Sequence, residues 1–534
     1  MSFAMNNVQQ LSFDDSLYHL TDREKRNLDK SWAKDFAEII FPAINEKPFS
    51  VLYSDRPSRT NTAINVLIGS LILKEMLGLT DEEVVDALMF DVRFQYALHT
   101  TSFAEQPLND RSLGRFRARC ISYEEQTGHD LIHECIISLS KEIASVMNIR
   151  PNMKRMDSMM IASNIKKMSR LELIYTCVAN LAALVNEKEE NQLPESLKHY
   201  CDADDHNRVL YHNRSEETES KIETVLKDAA TLIQFCGSHY DEDTEYQLLL
   251  RMIREQTITL KEGQYQLKEK EDGSMGSAIL QNPSDPDATY CKKAGKENRG
   301  YIANVVEDTG ENGSVISEYQ YEQNIHSDSQ FIKEYIASTE PQPEPTILVT
   351  DGGFSGNENL EAAKEKNIQL ITTDLKGRAS KDIWADFEFS EDGKKLLHCA
   401  NGNEPKTCNY NTTDGKCRIS FQKEQCVNCP YKEQCKPKIF KTIARIDLSY
   451  KTVNRAKQQR YMGTEEFKKY ARFRNGVETI PSILRRKYHV DKIPVRGKLP
   501  SKLFYGFKIA ALNTNKLFRY LRGLDKVTQK VVTA

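Results

Sequence analysis

The run Ile347-Leu348-Val349-Thr350 ends in Asp351 and is followed at once by Gly352-Gly353. A short apolar, β-branched run of this kind reads as a strand buried on both faces, as in a sheet covered by helices. The approach to it, Pro341-Gln342-Pro343-Glu344-Pro345, cannot continue a helix. The two glycines allow another group to come close to the backbone just past the acid.

The surrounding pattern supplies partners for this strand. Strand-like stretches occur at 153–162, 300–307, 314–321 and 368–373, and helical ones at 327–338 and 357–366. Thr309-Gly310-Glu311-Asn312-Gly313 reads as the turn between the two middle strands. The stretch 163–280 is helical and acidic, with runs such as Glu187-Lys188-Glu189-Glu190, and reads as an insertion. With it removed the order is strand, strand, strand, helix, strand, helix, strand, which predicts an α/β RNase H-like core.

Residues 1–150 read as an α-helical N-terminal domain. One helix covers Thr62 to Leu77 and stops at Gly78. Thr80 then caps a second through about Met89, with Asp81, Glu82 and Glu83 in its first turn. A third helical region runs from Pro107 to about Met147. The expected domains are therefore 1–150; the first part of the core, 151–384, interrupted at 163–280; a cysteine-rich insertion, 385–440; and a basic C-terminal part, 441–534, that completes the core. A polar N-terminus and the lack of a long apolar span predict a cytoplasmic protein with no membrane partner.

Charge is distributed unevenly. The chain as a whole carries −3, but residues 436–534 hold 25 Lys and Arg against 6 Asp and Glu. Such a block is the footprint of a polyanionic partner, and aromatics (Tyr470, Phe473, Tyr488, Phe504, Tyr505, Phe507) interleave with it. Six of the twelve cysteines fall between 399 and 435, among them the C-x2-C pair Cys426 and Cys429. Structural zinc takes four Cys or His ligands in a tetrahedron. This predicts Zn²⁺ held by Cys426, Cys429 and Cys435 with a fourth ligand from Cys399, Cys408 or Cys417.

Three acids in distinctive contexts complete the reading: Asp157 in the strand-like 153–162, Asp351, and Glu478 in the basic Arg472-Phe473-Arg474-Asn475-Gly476-Val477-Glu478. Hard divalent cations want carboxylate oxygens, and two of them stabilise the attacking and leaving oxygens of a phosphodiester transfer. The three acids are therefore candidate catalytic residues and ligands for two Mg²⁺ (or Mn²⁺) ions, Asp157 and Asp351 from strands and Glu478 from a later helix. Pro481 requires that helix to begin near Glu478 or to bend there. Glu465 and Glu466 are the alternative third ligands.

The chain resembles the DDE-class insertion-sequence transposases, most closely the IS1182 group within the IS4/IS5-like families. The resemblance rests on Asp81-Glu82-Glu83, Asn109-Asp110-Arg111-Ser112-Leu113-Gly114-Arg115-Phe116-Arg117, Asp157-Ser158, Asp285-Pro286-Asp287-Ala288 with Gly300-Tyr301, Asn324-Ile325-His326-Ser327-Asp328, and Asp351-Gly352-Gly353-Phe354. It implies a DNA transposase that binds the terminal inverted repeats of its element, cleaves there and joins the ends to target DNA, as a homodimer or larger assembly. It also places phosphate-contacting cations at Arg474 and Arg485, four residues before and seven after Glu478, where the family has Arg and Lys. Ala471 stands where the family has Tyr. Arg486, Lys487, Arg496 and Lys498 extend the expected DNA contacts. The alternatives are an RNase H-like nuclease that does not join strands and a catalytically inactive DNA-binding relative.

Overall fold

The computed structural model describes residues 1–534 except 7–14, 55, 57–58, 102–107, 110, 189–191, 212–214, 261–263, 270–275, 294, 374–378 and 533–534. Pro107, Asp110, Glu189 and Glu190, used above, lie outside the described residues. The chain forms two compact units, one of Met1–Met153, Asp157–Phe331 and Ile480–Ala534, the other of Lys154–Met156 and Ile332–Thr479.

In the first unit the longer helices of the N-terminal region are α1 (Ile64–Leu77), α2 (Asp81–Phe90), α3 (Ser112–Thr127) and α4 (Leu131–Val146), beside shorter ones such as Asp22–Asp29 and Val92–Ala97. Gly78, at φ +74°, ends α1, and Thr80 and Glu83 form a reciprocal cap on α2. The helical region expected from 107 to about 147 holds two helices among its described residues. Gly128, at φ +73°, stops α3, and the Asp130 carboxylate accepts from the His133 N–H at 2.9 Å to start α4.

Strand β1 (Met153–Ala162) follows, and then the stretch expected as an insertion. Its helices α5 (Arg170–Lys188), α6 (Ser215–Cys236) and α7 (Thr244–Gln256) close on a core that includes Val178, Leu181, Ala229, Leu232, Leu249 and Met252. The insertion is not purely helical. Thr257–Thr259 pairs antiparallel with Tyr265–Leu267 in a small hairpin.

Three further strands complete this unit: β2 (Thr289–Lys293), β3 (Lys296–Gly310) and β4 (Gly313–Gln323). β3 is bonded to β1, β2 and β4. β2 escaped the sequence reading, because Tyr-Cys-Lys-Lys carries no apolar alternation. The β3–β4 ladder continues to Gly310↔Gly313, so the turn is two residues, Glu311-Asn312, and not five.

The ladder shifts register between Val306 and Glu307. There the buried Asn513 takes over: its Oδ1 accepts from the Ile316 N–H at 3.0 Å and its amide donates to the Ile316 carbonyl at 2.8 Å. Asn513 lies on α13 (Lys498–Val532), which packs on α1, α4 and β4.

This helix overturns one expectation. Tyr488, Phe504, Tyr505 and Phe507 are 2%, 7%, 0% and 2% exposed and belong to the core. Phe504, Tyr505 and Phe507 lie in the stretch 503–514 of this helix, which is buried at every position, and Tyr488 precedes the helix, so none of the four offers a stacking surface. Part of the basic charge is also internal. Lys502 bridges Glu124 and Asp130, Lys508 meets Glu75, and Lys516 reaches the fully buried Glu307.

In the second unit β5 (Thr346–Thr350) pairs parallel with β6 (Ile368–Thr372), and β1 neighbours β5 in the sheet. Helices α8 (Asp328–Ser338) and α9 (Asn357–Glu365) precede and follow β5. A separate four-stranded sheet holds β7 (Thr407–Asn411), β8 (Lys416–Gln422), β9 (Lys438–Ile439) and β10 (Ile443–Leu448) in the order β7-β8-β10-β9. Helices α10 (Tyr450–Met462) and α11 (Glu465–Asn475) follow in this unit, and the short α12 (Thr479–Arg486) belongs, from Ile480 on, to the first unit. This mixed architecture fits an RNase H-like core. No helix among the described residues is long and apolar enough to cross a membrane.

Gly300 shows how tightly β3 and β1 are fitted. Its φ is +141°, and a Cβ there would lie 2.4 Å from the Ser163 nitrogen and 2.5 Å from the Ile161 oxygen. Those are backbone atoms and cannot swing away. Gly300→Ala is expected to destabilise by about 3 kcal/mol or more, read as a fall in the denaturant midpoint; a midpoint within error of the wild type would contradict this packing.

Candidate active site and cysteine module

Asp351 follows the last residue of β5, and its conformation is that of a cap. Its Oδ1 accepts from the Gly353 N–H at 2.6 Å and holds the 3-10 turn Gly352–Phe354. The carboxylate is thereby fixed at the strand's C-terminal end. Asp157 is half-buried in β1, where its Oδ1 accepts from the Ser158 N–H at 3.0 Å. The neighbouring Ser158 hydroxyl donates to Asp328 at 2.6 Å, which gives the His326-Ser327-Asp328 block a place on this strand.

Glu478 is not in a helix. α11 ends at Asn475, and Gly476–Glu478 forms a 3-10 turn before α12 begins at Thr479. Pro481 supplies the reason. It has no N–H to give the Val477 carbonyl, so a continuous helix would lose that bond, whereas in the first turn of α12 the missing donor costs nothing. The Glu478 carboxylate faces outward, 61% exposed, and Arg474 Nη1 donates to it at 3.1 Å.

One hydrophobic contact ties two of these pieces together. Phe467 of α11 is 4% exposed and clusters with Val349 of β5 and Ile371 of β6, with Tyr470 and Phe473 packed alongside. The strand that ends at Asp351 and the helix that leads to Glu478 are thus parts of one packed layer. Glu465 and Glu466 lie in the first turn of α11, and Glu465 is paired with Lys468 at 2.7 Å. They stand at the opposite end of this helix from the Glu478 turn, roughly 15 Å away.

The remaining cations differ in their surroundings. Arg485 pairs with Asp491 at 3.1 Å and donates to the Met160 carbonyl at 2.7 Å. Arg496 donates to the Asn164 carbonyl, and Lys498 pairs with Glu322. Arg486 and Lys487 are exposed. Burial, and then the nearby Arg519 charge, hold the Lys487 ammonium below the usual lysine range.

In the cysteine-rich module, Cys399, Cys426, Cys429 and Cys435 line one small apolar pocket of about 20 Å³ with Phe387, Phe421 and Ile446. Burial, and then the charges of Cys399 and Cys429, push the Cys426 thiol up to about 11; burial, and then the charges of Cys426, Cys399 and Cys429, push Cys435 up to about 12. Cys408 and Cys417 do not line this pocket and neighbour one another beside Leu396 and Lys394. The donor type and number suit a structural zinc. Among the described residues, however, no group of three or more His, Cys, Asp or Glu side chains is drawn close enough to hold a metal ion, cysteines and carboxylates alike.

Sequence reasoning passed over Arg155. It lies two residues before Asp157, on the same face of an extended strand, and that spacing was the available signal. In the second unit its guanidinium reaches the end of α11.

A mixed α/β architecture with an aspartate just past the end of a buried strand fits an RNase H-like core. Two family comparisons narrow this. Residues 398–518 match the family described as Transposase DDE domain, and residues 25–119 match Transposase domain (DUF772). Together they indicate an insertion-sequence DDE transposase of the IS1182-type arrangement, and the family implies DNA binding and divalent-metal use. The first range contains the cysteine module and Glu478; Asp157 and Asp351 lie between the two ranges. No curated protein and no solved structure matches the chain.

The Arg474–Glu478 pair is solvent-facing on the Glu side. Arg474→Gln is therefore expected to change stability by less than about 1 kcal/mol. A large drop in thermal midpoint would show that the pair is structural.

Proposed function

We propose that this protein binds the terminal inverted repeats of its own insertion sequence, cleaves DNA at their tips and joins the freed 3′-hydroxyls to target DNA, as a dimer or larger assembly. Asp157, Asp351 and Glu478 hold two Mg²⁺ or Mn²⁺ ions, which supply charge stabilisation for the attacking and leaving oxygens. The Asp351 carboxylate is oriented by the Gly353 N–H. Arg474 neutralises Glu478 before an ion is bound and is placed to meet a phosphate afterwards. The observation that carries the reading is the packing of Phe467 on Val349 and Ile371, inside a chain with two transposase-domain matches.

The test is cleavage and joining of a labelled duplex carrying the repeats that flank the gene. Wild type is compared with Asp157→Ala, Asp351→Ala and Glu478→Ala in Mg²⁺ or Mn²⁺. Cleaved and joined products, lost in each variant, are expected. Cutting without joining would favour a simple nuclease, and binding without cutting a catalytically inactive relative.

DNA contacts are proposed at Arg474, Arg485, Arg486, Lys487, Arg496 and Lys498. Arg486 and Lys487 are the most available, being exposed, while Arg485, Arg496 and Lys498 would exchange internal partners for phosphate. Repeat binding should weaken steeply with salt. Arg486→Ala and Lys487→Ala should each lower the log–log slope by about 1; a slope unchanged in both variants would remove these residues from the interface.

Cys399, Cys426, Cys429 and Cys435 are proposed to hold one structural zinc that organises the β7–β10 sheet. Four protein ligands leave no open position, so this ion takes no part in cleavage. Elemental analysis of protein purified without chelator should give about one zinc per chain, lost in Cys426→Ser and kept in Cys408→Ser. Protein with no zinc and an unchanged thermal midpoint after chelation would overturn the assignment.

A further inference from the structure

We propose that Arg155 is a positioning residue for Glu478, and that Gly476 is the position that admits it; the inference rests on the reading of Glu478 as a metal ligand. Arg155 Nη1 donates to the Phe473 carbonyl at 2.9 Å, and its guanidinium lies 5.3 Å from the centre of the Phe473 ring. That carbonyl is in the last turn of α11, where it also accepts from the Gly476 N–H and where the helix dipole favours a cation. Arg155 thus closes the helix end from which the Glu478 turn departs, using a hydrogen bond, a favourable charge and a stacked ring together.

Gly476 confirms how closely the guanidinium sits. Its backbone, at φ −63° and ψ −26°, is one any residue adopts, so glycine is not needed there for conformational freedom. It is needed for space: a Cβ would fall 2.0 Å from Arg155 Nη1 and 2.9 Å from Cζ. The clash is with the tip of a flexible side chain and not with backbone. Gly476→Ala should therefore expel the guanidinium while leaving α11, anchored by Phe467, in place. Arg155→Ala removes the same contact from the other side. With the helix end unheld, the buried Val477 still anchors the 3-10 turn, but the exposed Glu478 carboxylate beside it is held less closely in position.

The experiment measures metal-dependent cleavage of repeat DNA by the full-length protein carrying Arg155→Ala, Gly476→Ala, both together, Arg155→Lys or Glu478→Gln. DNA binding and thermal midpoint are recorded for each. Arg155→Ala and Gly476→Ala are expected to slow cleavage about tenfold or more and to raise the Mn²⁺ concentration for half-maximal rate, with repeat binding retained. The double variant should be no worse than either single one, since both remove one contact. Arg155→Lys, which keeps a charge and a donor but not the planar stack, should recover part of the rate. A wild-type rate and metal requirement in Arg155→Ala, beside an inactive Glu478→Gln, would overturn the positioning role alone. Normal cleavage by Glu478→Gln would instead overturn the reading of Glu478. Slower cleavage with an unchanged metal requirement and a matching fall in thermal midpoint would make Arg155 merely structural and also overturn the proposal.

Discussion

The packing of Phe467 against Val349 and Ile371 does more than fill a core. It sets α11 on the parallel pair β5–β6, so that the helix delivering Glu478 is registered on the strand that ends at Asp351. Side chains in a close-packed interior settle into one arrangement, and helix ends inherit that precision only as far as the last packed residue. Beyond Phe473 the Glu478 turn is held by the fully buried Val477 together with polar contacts: Thr479 Oγ1 donating to the Gly476 carbonyl, Arg474 on the carboxylate, and Arg155 on the Phe473 carbonyl. A divalent ion needs its ligands placed to within a fraction of an ångström. The polar contacts around this turn therefore matter as much as the carboxylate they serve.

The basic C-terminal region divides its charge between two tasks. Lys502, Lys508 and Lys516 are consumed in ion pairs with Glu124, Asp130, Glu75 and Glu307, which bind α13 to the N-terminal helices and to β3. Breaking such part-buried pairs leaves an uncompensated charge, so they specify one docking of α13. Arg486 and Lys487 face solvent and remain to meet an external anion. Net charge alone does not separate the two roles, because an internal lysine and a surface lysine count the same.

Much of the fold was legible in the sequence where local chemistry decides. β1, β5, β6, α8 and α9 lie within a residue or two of their expected limits, because periodicity, prolines and capping residues act over a few positions. The reading failed where the signal was not local. β2 has no apolar alternation and exists because β3 offers it an edge. Tyr488, Phe504, Tyr505 and Phe507 were taken for a stacking surface because buried and exposed aromatics look alike until a partner face is known.

The sequence by itself determined the strand ending in Asp351-Gly352-Gly353, the helix caps, the cysteine spacing and the break imposed by Pro481, since each follows from dihedral preference or from a missing donor within a few residues. Only the tertiary structure decided which lysines are internal, that Cys399 shares a pocket with Cys426, Cys429 and Cys435 while Cys408 and Cys417 do not, and that Arg155 reaches a carbonyl more than 300 residues away. Those facts depend on which segments meet across long stretches of chain. That choice is made by the burial of apolar faces such as those of Phe467 and α13, and no single segment's preferences contain it.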